Sequence, residues 1–199
     1  MPTTALLLTG LQNDAILAKG AMAQQGLAAQ ATAIDLLGKA SLAAAAARAR
    51  GALVIYARLA FRPGHPEIGV GASPSFQRIK ATNLLVEGTW GADTPAEVAP
   101  EEGDIVLVKR RVSCFAGTDL DLILRANAVT ELVLLGGATN FVVEGTARDA
   151  VDRGFKVTVL SDACAAFTRE AHDASMLAMS SFVTPRTSAE FIEALAATA

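Results

Sequence analysis

The stretch Leu132-Val133-Leu134-Leu135-Gly136-Gly137-Ala138-Thr139-Asn140-Phe141-Val142-Val143-Glu144-Gly145-Thr146-Ala147-Arg148-Asp149-Ala150 passes from four aliphatic residues through two glycines into a helical pattern. A short continuous apolar run that ends in turn residues reads as a strand buried on both faces of a parallel sheet. Residues 140–153 then predict a helix, with Val142, Val143, Thr146, Ala147 and Ala150 on one face and Glu144 four residues before Arg148 on the other. Gly154 ends it.

On either side of that stretch, the same strand signature recurs at Ala5-Leu6-Leu7-Leu8-Thr9, at residues 53–58, at Ile105-Val106-Leu107-Val108-Lys109 and at residues 155–160, with a weaker sixth candidate at Phe182-Val183. Helical segments lie between. Residues 28–50 are alanine-rich and stop at Gly51, 119–126 follow Thr118 as an N-cap, and the last helix starts with Thr187 and Glu190 spaced as a capping box that turns Phe191, Ile192 and Leu195 inward. Strand and helix in alternation predict a doubly wound, mainly parallel α/β sheet of about six strands with helices on both faces, a Rossmann-like topology. At 199 residues, 1–199 is expected to form a single domain.

One connection is long. Residues 59–103 hold five of the seven prolines and the only tryptophan, Trp90, so a lid or a subunit contact is expected there. The formal charge of -3 comes from 17 basic and 20 acidic residues spread along the chain, which gives neither a nucleic-acid footprint nor a membrane patch. The first apolar run stops at Gly10, too short for a signal peptide or a span, and the two cysteines lack CxxC spacing. A cytoplasmic protein without disulfides is expected.

Ligands in such folds bind beyond the carboxyl ends of the strands. That rule gathers Gly10 with Leu11-Gln12-Asn13-Asp14, then Lys109, then Gly136-Gly137-Ala138-Thr139-Asn140. Lys109 closes an otherwise apolar strand, where an ammonium needs solvent or a carboxylate, and a lysine snorkelling outward is the plain alternative to a functional one. Asp14 is expected to hold the turn through side-chain to backbone hydrogen bonds. Gly69-Val70-Gly71 follows no strand, no Walker motif occurs, and no cofactor is implied.

Three segments carry a resemblance over nearly the whole length: Ala5 through Asp14, residues 104–120 including Lys109-Arg110-Arg111-Val112-Ser113-Cys114-Phe115, and Gly136 through Ala150. Ser161-Asp162-Ala163-Cys164-Ala165-Ala166 supports them. The chain resembles the isochorismatase-like, or cysteine hydrolase, superfamily. The resemblance implies a triad of aspartate, lysine and cysteine, a thiolate attacking an amide or carbamoyl carbon, and a pocket often shaped by a cis peptide at the position of Gly137-Ala138.

Carried over residue by residue, the aspartate falls on Gly10, the lysine on Lys109 and the cysteine on Val142. Glycine moves no proton and valine forms no acyl intermediate, so only Lys109 of the three retains its chemistry. Members that split a vinyl ether lack the cysteine but use the aspartate as general acid, which Gly10 also removes. Cys114, five residues after Lys109, is a candidate displaced nucleophile, with no histidine placed to activate it. By this alignment Gly10→Asp with Val142→Cys would restore the triad.

Some amidases of the superfamily hold zinc through an aspartate and two histidines after the second strand. Only His65 lies in that region here, where a surface position is expected, and His172 sits on a late helix, so no metal is expected. Gly137, Ala138, Thr139, Phe141, Cys114, Phe115 and Trp90 are the candidate binding residues. Phe61, Arg62 and Phe76 are further candidate wall residues.

The expected function is that of a family hydrolase acting on, or binding, a small carbonyl, amide or ether-containing metabolite without the cysteine nucleophile. The alternative is an inactive relative that serves as a small-molecule binding or assembly subunit. A homodimer or homotetramer is implied by the resemblance, with no nucleic-acid or membrane partner.

Overall fold

The computed structural model describes residues 3–197. Six strands, β1 (Thr3–Thr9), β2 (Leu53–Leu59), β3 (Ile105–Lys109), β4 (Val129–Gly137), β5 (Lys156–Ala165) and β6 (Thr184–Arg186), form one sheet in the order β3-β2-β1-β4-β5-β6. Every pairing is parallel. The helices are α1 (Asn13–Ile16), α2 (Leu27–Ala33), α3 (Leu36–Ala49), α4 (Pro74–Ala81), α5 (Leu120–Ala126), α6 (Glu144–Asp152), α7 (Arg169–Met179) and α8 (Ser188–Ala197). None of them is long and apolar enough to cross a membrane.

The aliphatic runs are explained by where they sit. β1 lies between β2 and β4, and its side chains alternate between two cores. Ala5 and Leu7 join Ile55, Leu132 and Leu134 beneath α5, α6 and α7, whereas Leu6 and Leu8 join Tyr56, Val133 and Leu135 beneath α2, α3 and α8. Burial on both faces is why the strand reads as an unbroken run instead of an alternating one.

The chain departs from β1 in one direction through β2 and β3, then in the other through β4, β5 and β6. The order therefore reverses between β1 and β4. This is the switch point at which an open parallel sheet leaves a crevice, and it sets Gly10 beside Gly136 and Gly137.

Two expectations about helices need correcting. The segment read as one helix over 28–50 is two, because Asp35 takes a left-handed conformation at φ 53° and breaks the chain between α2 and α3. Its carboxylate fills the space that a Cβ on Gly38 would take. The helix read over 140–153 opens with a π-helical turn, Thr139–Val143, before α6. At the last helix the capping box is present: Thr187 N–H donates to Glu190 Oε2 at 2.7 Å, and Glu190 N–H to Thr187 Oγ1 at 3.2 Å. The sixth strand lies slightly later than Phe182-Val183, at Thr184–Arg186.

The long connection contains structure of its own. Pro74 occupies the first turn of α4, and Phe76 and Ile79 pack with Phe61, Ile68 and Leu85 into a small core separate from the two that flank the sheet. The connection is tied to the first strand end by Gln12, whose amide donates to Leu59 O at 2.7 Å and to Ala92 O at 2.9 Å, and by Asn13, which donates to Trp90 O at 2.7 Å. Asp14 holds its own turn by accepting from Ala21 N–H at 3.2 Å.

Candidate functional site

Lys109 ends β3, in register with Leu59 of β2, and is only 2% exposed. The expectation of solvent or a carboxylate partner for it is wrong on both counts. Its Nζ donates to the carbonyls of Arg111 at 2.9 Å and Val112 at 3.2 Å, and among the described residues it makes no ion pair. The chain curls back immediately after the strand and supplies these two acceptors itself. Burial lowers the pKa of this amine, and the neighbouring Cys114 opposes that only in part.

Above Lys109 opens a cavity of about 650 Å³. Its floor is made by strand ends and the turn that follows β4: Gly10, Lys109, Gly137, Ala138 and Val142. Its walls are Phe141 and Phe167 on one side, and Leu59, Phe76, Ile79 and Leu85 from the long connection on the other. Met22 and Leu27 also reach it. The polar lining comprises Gln12, Gln24, Gln25, Ser75 and Arg78 besides Lys109, and among the described residues no Asp, Glu, Cys or His is part of it. The Gly137–Ala138 peptide is cis. At the turn above it, the N–H groups of Phe141 and Val142 both donate to Ala138 O, at 3.1 and 3.0 Å.

Of the residues singled out from the sequence, Gly10, Lys109, Gly137, Ala138, Phe141 and Val142 therefore meet in one cavity, and Phe76 joins them. Cys114, Phe115, Thr139 and Trp90 do not line it, which corrects their expected place. The 113–116 turn folds under α6, where Cys114 N–H donates to Thr146 Oγ1 at 3.1 Å and Ser113 Oγ to Asp149 at 2.7 Å. Cys114 is thereby fully buried with Sγ 3.3 Å from Thr9 Oγ1, and Phe115 stacks on Phe155. Thr139 is fully buried and bonds His172 Nδ1 at 2.9 Å. Trp90 is 47% exposed, with Lys19 Nζ 5.0 Å from its ring centre.

The histidines serve the fold. His65, expected at the surface, is 1% exposed, with Nε2 2.7 Å from Leu84 O and its ring against Phe61. Burial lowers the pKa of His172, and nearby Arg169 adds to the effect. Arg62 and Phe61 also lie outside the cavity lining: Arg62 pairs with Glu67 at 2.6 Å, and Phe61 belongs to the small core.

Sequence reasoning missed Met22, Leu27, Ile79, Leu84, Leu85 and Phe167. A signal for part of the wall was present, since Pro74 followed by Phe76 and Ile79 is a helix start with an apolar spacing of three.

The isochorismatase domain profile matches residues 4–190. The chain belongs to the isochorismatase family of hydrolases. Among its curated relatives is the ureidoacrylate amidohydrolase RutB of Methylorubrum extorquens, 36% identical over 172 residues that span 81% of this chain and 69% of that protein. Among solved structures, a cysteine hydrolase from Pseudomonas syringae pv. phaseolicola superposes with a TM-score of 0.87 at 27% identity, covering 99% of this chain and 94% of the other. An N-carbamoylsarcosine amidase from Thermoplasma acidophilum gives 0.74 at 28% identity, covering 94% and 97%. The isochorismatase match thus runs from the second residue of β1 to beyond β6.

Proposed function

We propose that this isochorismatase domain binds a small carbonyl, amide or ether-containing metabolite over Lys109 and does not hydrolyse it by the thiol route. The observation that carries this is the chemistry of the cavity floor. Gly10 and Val142 line the same cavity as Lys109, at the positions where the resemblance implies an acid and a thiol. Neither can transfer a proton or form an acyl intermediate. The N–H groups of Phe141 and Val142 are already engaged by Ala138 O, which argues against their service as free oxyanion donors. What remains is a buried amine, with Gln12 and Arg78, in a largely apolar chamber, suited to meeting one polar group of a ligand whose body is apolar.

The competing reading is a hydrolase in which Lys109 polarises a carbonyl toward water; the amidohydrolase relatives favour it. Titration calorimetry with a panel of amides, N-carbamoyl compounds and a vinyl ether, run beside an assay for turnover of the same panel, separates the two. Binding that is lost in Lys109→Met, with turnover no faster than in buffer, is the expected result. Turnover that needs Lys109 would overturn it in favour of the hydrolase.

A further inference from the structure

We propose that Lys109 captures aldehyde or ketone ligands covalently, as an imine, an inference that rests on the cavity receiving a carbonyl compound. A neutral primary amine has two N–H bonds and one lone pair, whereas an ammonium has three N–H bonds and none. Lys109 Nζ has two acceptors, Arg111 O and Val112 O, and no third among the described residues. Both donors of the neutral amine are thus satisfied, and its lone pair is the one valence left over.

The ammonium would instead bury a third N–H and a full charge with no carboxylate to meet them, which burial away from water disfavours. Gly10, which follows β1 two strands away in the sheet, contributes no carboxylate, and no other lining residue carries one. Burial displaces the protonation equilibrium of Lys109 in the same direction. A desolvated lysine in an apolar pocket is the recognised setting for amine nucleophiles. The walls supply Phe76, Phe141, Phe167, Ile79 and Leu85 for an apolar substituent on the carbonyl carbon.

In the step itself the Nζ lone pair attacks the carbonyl carbon and forms the C–N bond. The carbonyl π pair moves to oxygen, which takes up the proton that Nζ releases, giving a carbinolamine. Its hydroxyl leaves with a second proton as water while the nitrogen pair closes the C=N bond. Amine and carbonyl become imine and water, with no change in oxidation state. Protonated, the imine keeps one N–H for Arg111 O or Val112 O.

The test uses the intact protein, benzaldehyde as the probe and sodium cyanoborohydride to reduce the imine to a stable secondary amine, read by peptide mass mapping. The chain has five lysines: Lys19, Lys39, Lys80, Lys109 and Lys156. At neutral pH and stoichiometric aldehyde, Lys109 is expected to be benzylated at least about ten-fold faster than any other lysine, since the cavity holds the aldehyde against this amine. Lys109→Arg keeps nitrogen donors at the strand end but has no amine lone pair, and should lose the fast label. Should that variant not fold, the competition among lysines in the native protein decides alone. Labelling of the exposed lysines first overturns the imine. Benzamide, which offers a carbonyl that amines do not condense with, is titrated in parallel: benzamide binding without Lys109 labelling overturns the imine and leaves the carbonyl site standing. If neither compound binds, both proposals fall.

Discussion

The backbone of Gly10 is pressed against the carbonyl group of Gly137. Gly10 has a φ of 67°, and the Cβ of any other residue there would fall inside the Gly137 carbonyl oxygen and 2.8 Å from its carbon. Both penalties act together, since the left-handed conformation disfavours a side chain and the space for one is already taken by backbone.

Gly10→Ala is therefore expected to destabilise the protein by about 3 kcal/mol or more, and Gly10→Asp by at least as much. Urea denaturation of both variants measures it. A loss below about 1 kcal/mol would mean that the strand end moves aside easily. Building the triad that the resemblance implies would therefore take more than Gly10→Asp with Val142→Cys.

Val142→Cys is a different case, because Val142 is 6% exposed, lines the cavity and changes little in volume. Its cost should stay under about 1.5 kcal/mol. The native thiols, Cys114 and Cys164, are buried at 0% and 2% exposure, and burial pushes Cys164 up to about 12. A disulfide reagent such as dithionitrobenzoate should find no fast thiol in the native protein and two after unfolding. In Val142→Cys it should find one fast thiol in the fold, with no amide turnover, because Gly10 offers no acid.

Glu67 makes stability depend on acid. Burial alone would raise its pKa, but a hydrogen bond to its own backbone and those from Arg110 and Arg62 prevail and lower it from 4.5 to about 2. A carboxyl depressed by folding stabilises at pH above its unfolded value, and that contribution is lost as pH falls through the folded one. Stability should fall between about 4.5 and about 2, and Glu67→Gln should flatten that part of the curve, as measured by denaturant unfolding at stepped pH.

Thr139→Val removes the hydroxyl that meets His172 Nδ1 and leaves a buried ring nitrogen without its partner. A loss of about 1–3 kcal/mol is expected in thermal or urea unfolding. Ligand binding should be unchanged apart from that loss, since Thr139 does not line the cavity. A weakened affinity at full stability would return Thr139 to the binding residues.

The sheet was legible because its inner strands are buried on both faces and so write themselves as aliphatic runs; β3 reads the same way although it is an edge strand with Val106 and Val108 exposed. The floor of the cavity followed from the same fact, since Gly10, Lys109 and Gly137 are the residues at which those runs stop. Side-chain direction inside turns was not legible. Whether Cys114 faces the cavity or the core depends on a hydrogen bond to Thr146, 32 residues away, and no local pattern records it. His65 likewise reads as a surface loop residue until Leu84 is folded against it. The break at Asp35 is invisible in an alanine-rich stretch whose composition favours helix throughout.

The small core of Phe61, Ile68, Phe76, Ile79 and Leu85 stands apart from the two cores that hold the sheet. Floor and wall of the chamber are thus built from separately packed parts. Substitutions along α4 can reshape what the chamber admits while the strand ends keep their positions, so selectivity and reactivity are free to diverge along independent lineages of change.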